Sequence, residues 1–212
     1  MRVSIKTSIP GPKSKKILQS AKKKNGGWSG VYPFVQTQEG AGCYFKDEDG
    51  NTLLDFASQV ASNPLGYNHP DIKEVIKQYT SHAPVKFAGQ DFLVKEHDDL
   101  LNELLSITPK KHNAAFLVNS GAEAVENAIK ICMRKRRQSQ FGISSKGDFH
   151  GRTLGALSYT HSKPVQTKGF FSLPNKTTPF SEEAPEYLER MIHRSKSKKI
   201  AFVLIETVQG ES

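Results

Sequence analysis

The chain has 212 residues, enough for one or two domains with a sizeable core, and 30 Lys and Arg against 21 Asp and Glu give a formal net charge of +9. Hydrophobic residues make up 36% of it; no stretch approaches the roughly 18 apolar residues that span a bilayer, and no signal-peptide core is visible near the start. Cys43 and Cys132 are too few and too distant in sequence for a disulfide framework or a cysteine metal site, so a reducing compartment is the expectation.

Residues 1–30 read as a basic arm with one short helix near Lys13–Lys24, and the first acid is Glu39. Residues 42–57 read as a hairpin: Cys43-Tyr44-Phe45 and Thr52-Leu53-Leu54-Asp55-Phe56 flank Asp47-Glu48-Asp49-Gly50-Asn51, which holds the Asp-Gly turn signal. A loop from Asn63 ends in Pro70, suited to a first helical position. Helices are predicted over 71–80 and 93–106; in the second, Leu93, His97, Leu100, Leu101, Leu104 and Leu105 keep helical spacing.

From residue 113 strands and helices alternate. The apolar run 114–118 predicts a strand, 121–136 a helix, 141–146 a short strand, the stretch to about Pro185 loops, 186–194 a helix and 200–206 a final strand. The alternation argues for an α/β fold with a parallel sheet. On the central helix Val125, Ile129, Cys132 and Met133 share an apolar face, and Glu126 and Lys130 stand as an i,i+4 pair. The sequence ends just past a strand, where parallel sheets gather their ligand groups, so a fragment of a longer protein is expected.

The charge lies in the arm, in Arg134–Arg137, and in Lys196, Lys198 and Lys199. Cations at a helix C-terminus complement its dipole and lysine-rich tails are usually solvated, so nucleic acid is not the expected partner, nor is a membrane. The arm is also a weak match to an import sequence, holding one Arg and a Pro-Gly-Pro. Neither His-Glu-x-x-His nor paired Cys occurs, and no metal is expected. His150 and His69 read as structural histidines. Gly40-Ala41-Gly42 is no dinucleotide fingerprint, since no G-x-G-x-x-G follows a strand.

The most informative stretch is Ser120-Gly121-Ala122-Glu123, between the apolar run and the amphipathic one. Ser120 as N-cap and Glu123 three residues on form a capping box. Gly121 allows close approach of backbone, and the free N–H groups of the first turn, with the helix dipole, make an anion site. Two motifs follow, Phe149-His150-Gly151-Arg152-Thr153 and Glu206-Thr207-Val208-Gln209-Gly210-Glu211.

Together these resemble the class III (ornithine/GABA-type) pyridoxal-phosphate-dependent aminotransferases. Ser4–Pro12, Ser58–Pro70 and Thr160-His161-Ser162-Lys163 are similar to segments of that family in the same order, so the resemblance runs from about residue 4 to 212. It implies a fold-type I α/β transferase, here incomplete: an N-terminal basic arm (1–41), a small-domain segment with a linker helix (42–92) and the first part of the cofactor-binding large domain (93–212). The implied cofactor is pyridoxal 5'-phosphate. Ser120, Gly121 and Ala122 would hold its phosphate and Phe149 would stack on its ring.

Arg152 would pair with the substrate carboxylate remote from the amine, and Val60 would form part of the apolar wall. Glu206 would help set selectivity, and Glu211 would be a gate pairing with a downstream Arg. The lysine that takes the cofactor aldehyde lies downstream in that family, so no catalytic residue is expected in this chain and its own turnover is expected to be weak or nil. The implied reaction moves an amino group from an ω-amino acid, foremost 4-aminobutyrate, to 2-oxoglutarate. The alternatives are lysine ε- or ornithine transamination, or a noncatalytic fragment that pairs with a missing half. A homodimer is implied if the protein is complete, in the cytoplasm or the mitochondrial matrix.

Overall fold

A computed structural model describes residues 1–28, 30–81, 86, 88–89, 91–195 and 199–211. Lys196 and Lys198 of the third basic cluster lie outside the described residues. The chain divides into two compact units, Met1–Val94 and Lys95–Ser212.

In the first unit α1 (Pro12–Lys24) begins with Pro and ends in Lys22, Lys23 and Lys24, where the dipole favours cations. No side chain at its own N-cap satisfies the first turn; the Asp49 carboxylate does so from outside, accepting the Lys13 and Ser14 N–H groups at 2.8 and 2.9 Å. Strands β1 (Gln36–Ala41), β2 (Tyr44–Asp47) and β3 (Thr52–Leu54) form an antiparallel sheet in that order. Asn51 in the β2–β3 turn accepts the Lys6 and Thr7 N–H groups, and Ser4 bridges to Thr52, so the basic arm is tied to this hairpin. Phe45 is buried between Phe34 and Tyr67, with ring centroids 5.1 and 5.6 Å away. The hairpin matches its prediction, whereas β1 has no counterpart among the predicted elements.

After β3 comes a helical turn, α2 (Ser58–Ala61), with φ of +48°, +51°, +57° and +59° at four consecutive non-glycine residues. It is left-handed. Helix α3 (Pro70–Thr80) then starts on its predicted Pro.

The second unit holds α4 (Lys95–Ile107), α5 (Gly121–Lys135), β4 (Phe141–Ser145), α6 (Leu154–Leu157), α7 (Pro164–Thr167), β5 (Asn175–Thr178), α8 (Ala184–Arg194) and β6 (Ile200–Leu204). The sheet is parallel, in the order β5-β4-β6, with Gly142 opposite Asn175 and Phe141 opposite Ile200. As the central strand, β4 buries Ile143 completely; Ala156, Leu157, Tyr159, Ile200 and Ala201 complete the core. Ile129 is the one buried residue of α5.

Three expectations fail here. Ala114–Val118 is no strand: among the described residues nothing pairs with it, and Phe116 is 64% exposed. An apolar run favours extension, but a strand needs a hydrogen-bonded neighbour. The stretch expected to be loops holds β5, α6 and α7; β5 is the polar run Asn-Lys-Thr-Thr, made a strand by its pairing with β4. Met133, expected on the apolar face of α5, is exposed.

Candidate functional site

Helix α5 begins as its sequence dictates. Ser120 is in extended geometry and its hydroxyl accepts the Glu123 N–H at 3.2 Å. Glu123 reaches back one residue further than in a standard capping box, accepting the Asn119 N–H at 2.8 Å. The N–H groups of Gly121 and Ala122 have no intrahelical acceptor by geometry, and both residues line a cleft of about 590 Å³. A Cβ added at Gly121 would meet nothing within 4 Å, so the space before the helix is open.

The rest of the cleft is the segment after β4: Phe149, His150, Gly151, Arg152 and Thr153, with Val125. Gly151 lets this segment close on α5. Its φ is +125°, and a Cβ there would lie 2.7 Å from the Ala122 Cβ. Thr160 pins the segment a second time, its hydroxyl accepting the His150 N–H at 3.0 Å and donating to the Gly151 carbonyl at 2.9 Å. Glu126 pins it a third time: one carboxylate oxygen accepts the Thr153 hydroxyl and the Gly155 and Ala156 N–H groups at 2.7, 2.8 and 3.1 Å. Glu126 therefore caps α6, and no ion pair with Lys130 forms among the described residues.

Gly121, Ala122, Phe149 and Arg152 thus share one cleft, with the Ser120 hydroxyl at the same helix start. Arg152 is exposed, and no ion pair among the described residues uses it. Glu206, at the end of β6, accepts the Phe149 N–H at 2.7 Å and so abuts the cleft through Phe149. Glu211 is outside the lining and pairs with Lys163 at 2.5 Å. Val60 belongs to the other unit, 78% exposed on an apolar cleft of about 650 Å³ that Phe56 and Tyr67 also line.

His150 Nε2 donates to the Asp148 carboxylate at 3.2 Å, both residues buried, an arrangement that suits a structural histidine. His161 sits 2.9 Å from the Ser144 hydroxyl; burial pushes its pKa below the ordinary value, opposed by the Asp148 charge and assisted by His150. Among the described residues no cluster of His, Cys, Asp and Glu has a metal-binding arrangement. Sequence reasoning missed Asp148 and Glu126 in these roles. Asp148 directly precedes the Phe149 motif, which is a pointer of position only; Ser145 and His150 supply two of its four hydrogen bonds from nearby, while Glu206 and Gln209 supply the other two from a segment some sixty residues on.

The profile of the family described as Aminotransferase class-III matches residues 28–212. The chain is 28% identical to the Mus musculus 4-aminobutyrate aminotransferase, mitochondrial, over 98% of this chain and 51% of that protein. It is 32% identical to the acetylornithine aminotransferase of Archaeoglobus fulgidus, over 84% and 45%. Its fold matches the taurine:2-oxoglutarate aminotransferase of Bifidobacterium kashiwanohense, solved with PLP and glutamate, at a TM-score of 0.79 and 17% identity over 97% and 49%. The chain spans about half the length of the curated relatives it matches.

The fold is that of the fold-type I pyridoxal-phosphate-dependent transaminases, and pyridoxal 5'-phosphate is the cofactor the family implies. The residues present fit that group: backbone donors at an open helix start suit a phosphate, and an aromatic side chain borders the same space. The match to that family along residues 28–212, which is most of the sequence, makes this chain a member of the class III aminotransferases.

Proposed function

We propose that the cleft at the start of α5 holds pyridoxal 5'-phosphate and serves transamination of an ω-amino acid, with 4-aminobutyrate as donor and 2-oxoglutarate as acceptor. The products are succinate semialdehyde and glutamate. The observation that carries this is the joint lining of one cleft by Gly121, Ala122, Phe149 and Arg152. Bound there, the cofactor would supply an electron sink for amino-group transfer.

Each residue has a task its chemistry suits. Gly121 and Ala122 would present N–H groups to the phosphate at the positive end of the helix dipole. The Ser120 hydroxyl already accepts from Glu123 and keeps its own proton to donate. Phe149 would face the pyridine ring, its backbone held by Glu206. Arg152 would clamp a carboxylate with two parallel bonds, which its planar guanidinium favours. Glu206 and Glu211 would act on selectivity, and Val60 would contribute apolar surface toward the substrate.

In this reading residues 93–212 are the first part of the cofactor domain, 42–92 the small-domain segment and 1–41 the arm, and the working assembly is a homodimer. The 4-aminobutyrate assignment is supported by the Mus musculus relative's name and by the Gln59–His69 segment. The word mitochondrial in that name supports the mitochondrial matrix over the cytoplasm. The acetylornithine aminotransferase at 32% identity supports acetylornithine as a second substrate reading.

The test is a titration of the chain with pyridoxal phosphate, followed by protein fluorescence. Saturable binding, competed by inorganic phosphate and weakened by about tenfold in Ser120→Ala, is expected from the loss of one charge-assisted hydrogen bond. No binding, or binding indifferent to Ser120, would overturn the site. Co-expression with the second half of a class III aminotransferase, assayed on 4-aminobutyrate and acetylornithine side by side, decides the substrate.

A further inference from the structure

We infer that Asp148 is a positioning residue that sets the places of Phe149 and Glu206 together, through a reciprocal pair of carboxylate–backbone bonds between the β4 and β6 loops. This rests on the reading of the cleft as a pyridoxal phosphate site. Asp148 is completely buried, yet no Lys or Arg pairs with it among the described residues. Hydrogen bonds compensate for its burial, as a desolvated carboxylate requires.

One oxygen accepts the Ser145 N–H at 2.9 Å and lies 3.2 Å from His150 Nε2. The other accepts the Gln209 amide at 3.0 Å and the Glu206 N–H at 3.4 Å. Glu206 answers with its own carboxylate, which accepts the Phe149 N–H at 2.7 Å. The acid of each loop therefore holds the backbone of the other. Gln209 adds a tie to the Lys146 carbonyl at 2.7 Å.

The consequence is a coupling. Phe149, which borders the cleft, and Glu206, which stands behind it, cannot shift independently while both carboxylates keep these bonds. An Asn at 148 has the same shape but turns one acceptor into a donor. It would face the Ser145 and Glu206 N–H groups, the Gln209 amide and His150 with one acceptor oxygen instead of two.

Asp148→Asn and the milder Gln209→Ala test this in the full 212-residue chain. Amide hydrogen exchange without cofactor is the first readout. The Phe149 and Glu206 amides are expected to exchange about tenfold faster in each variant while the β4 interior keeps its rate. The second readout is the induced circular dichroism of bound pyridoxal phosphate, per mole bound, which is expected to collapse in Asp148→Asn. A merely structural Asp148 would lower Tm and leave that signal alone.

Exchange at Phe149 and Glu206 that moves no more than in β4, or an unchanged cofactor signal, would overturn the inference. If Asp148→Asn does not fold, Gln209→Ala decides by the same two measures. If the unmodified chain binds no pyridoxal phosphate, the proposed function falls and the exchange measurement still decides the coupling.

Discussion

Gly151 answers two independent demands at one residue. Its φ of +125° is closed to ordinary side chains, and a Cβ would press on Ala122 at 2.7 Å. Gly151→Ala is expected to destabilise the chain by about 2–4 kcal/mol, from backbone strain and overpacking together, and denaturant unfolding measures it. His161 makes a pH prediction. Its pKa is depressed first by burial, with Asp148 opposing and His150 adding to the depression. Above its unfolded value of 6.5 both states are neutral there and the contribution to stability is whole. As pH falls below that value the unfolded chain takes the proton first, so stability declines until the folded pKa is passed. His161→Gln should flatten the slope as pH falls below 6.5 in thermal unfolding; an unchanged slope would place the titration elsewhere.

At the scale of elements, α5 and the turn α2 are built on opposite terms. Helix α5 is supported locally at every step: a Ser cap, a first-turn Glu, an apolar stripe and a basic last turn. Turn α2 has four non-glycine residues at left-handed φ, one of them the β-branched Val60. Such geometry costs roughly 1–2 kcal/mol per residue and persists only where neighbours over-determine it. The Asp55 carboxylate does so, accepting the Ala57 and Ser58 N–H groups at 2.8 Å each and the Tyr67 hydroxyl at 2.6 Å. Since Val60 is mostly exposed, Val60→Gly gives up little packing and is expected to raise stability by about 0.5–1 kcal/mol, after the entropy cost of glycine is set against the relieved strain. A lower Tm for that variant would show the turn to be unstrained.

For the whole molecule, the two units leave wide apolar surface: Phe56, Val31, Phe171, Val165 and Val208 are among the exposed large side chains. Surface of that kind associates, while the net charge of +9 opposes association at low salt. The chain is expected to self-associate as concentration rises, more strongly when sulfate screens the charge, and sedimentation velocity would show it. A single monomer boundary at all concentrations would mean that the exposed faces are not sticky.

Local signals by themselves determined the hairpin with its Asp-Gly turn, the Pro start of α3 and the capped start of α5, because each depends on neighbours within a few residues. Tertiary structure alone decided that Asn175–Thr178 is a strand and Ala114–Val118 is not, that Glu126 caps α6 rather than pairing with Lys130, and that Asp148 is buried at the join of two loops. A ladder partner, the donors that satisfy a carboxylate and the loss of water around a charge come here from residues distant in sequence, and no local pattern encodes which of them arrive.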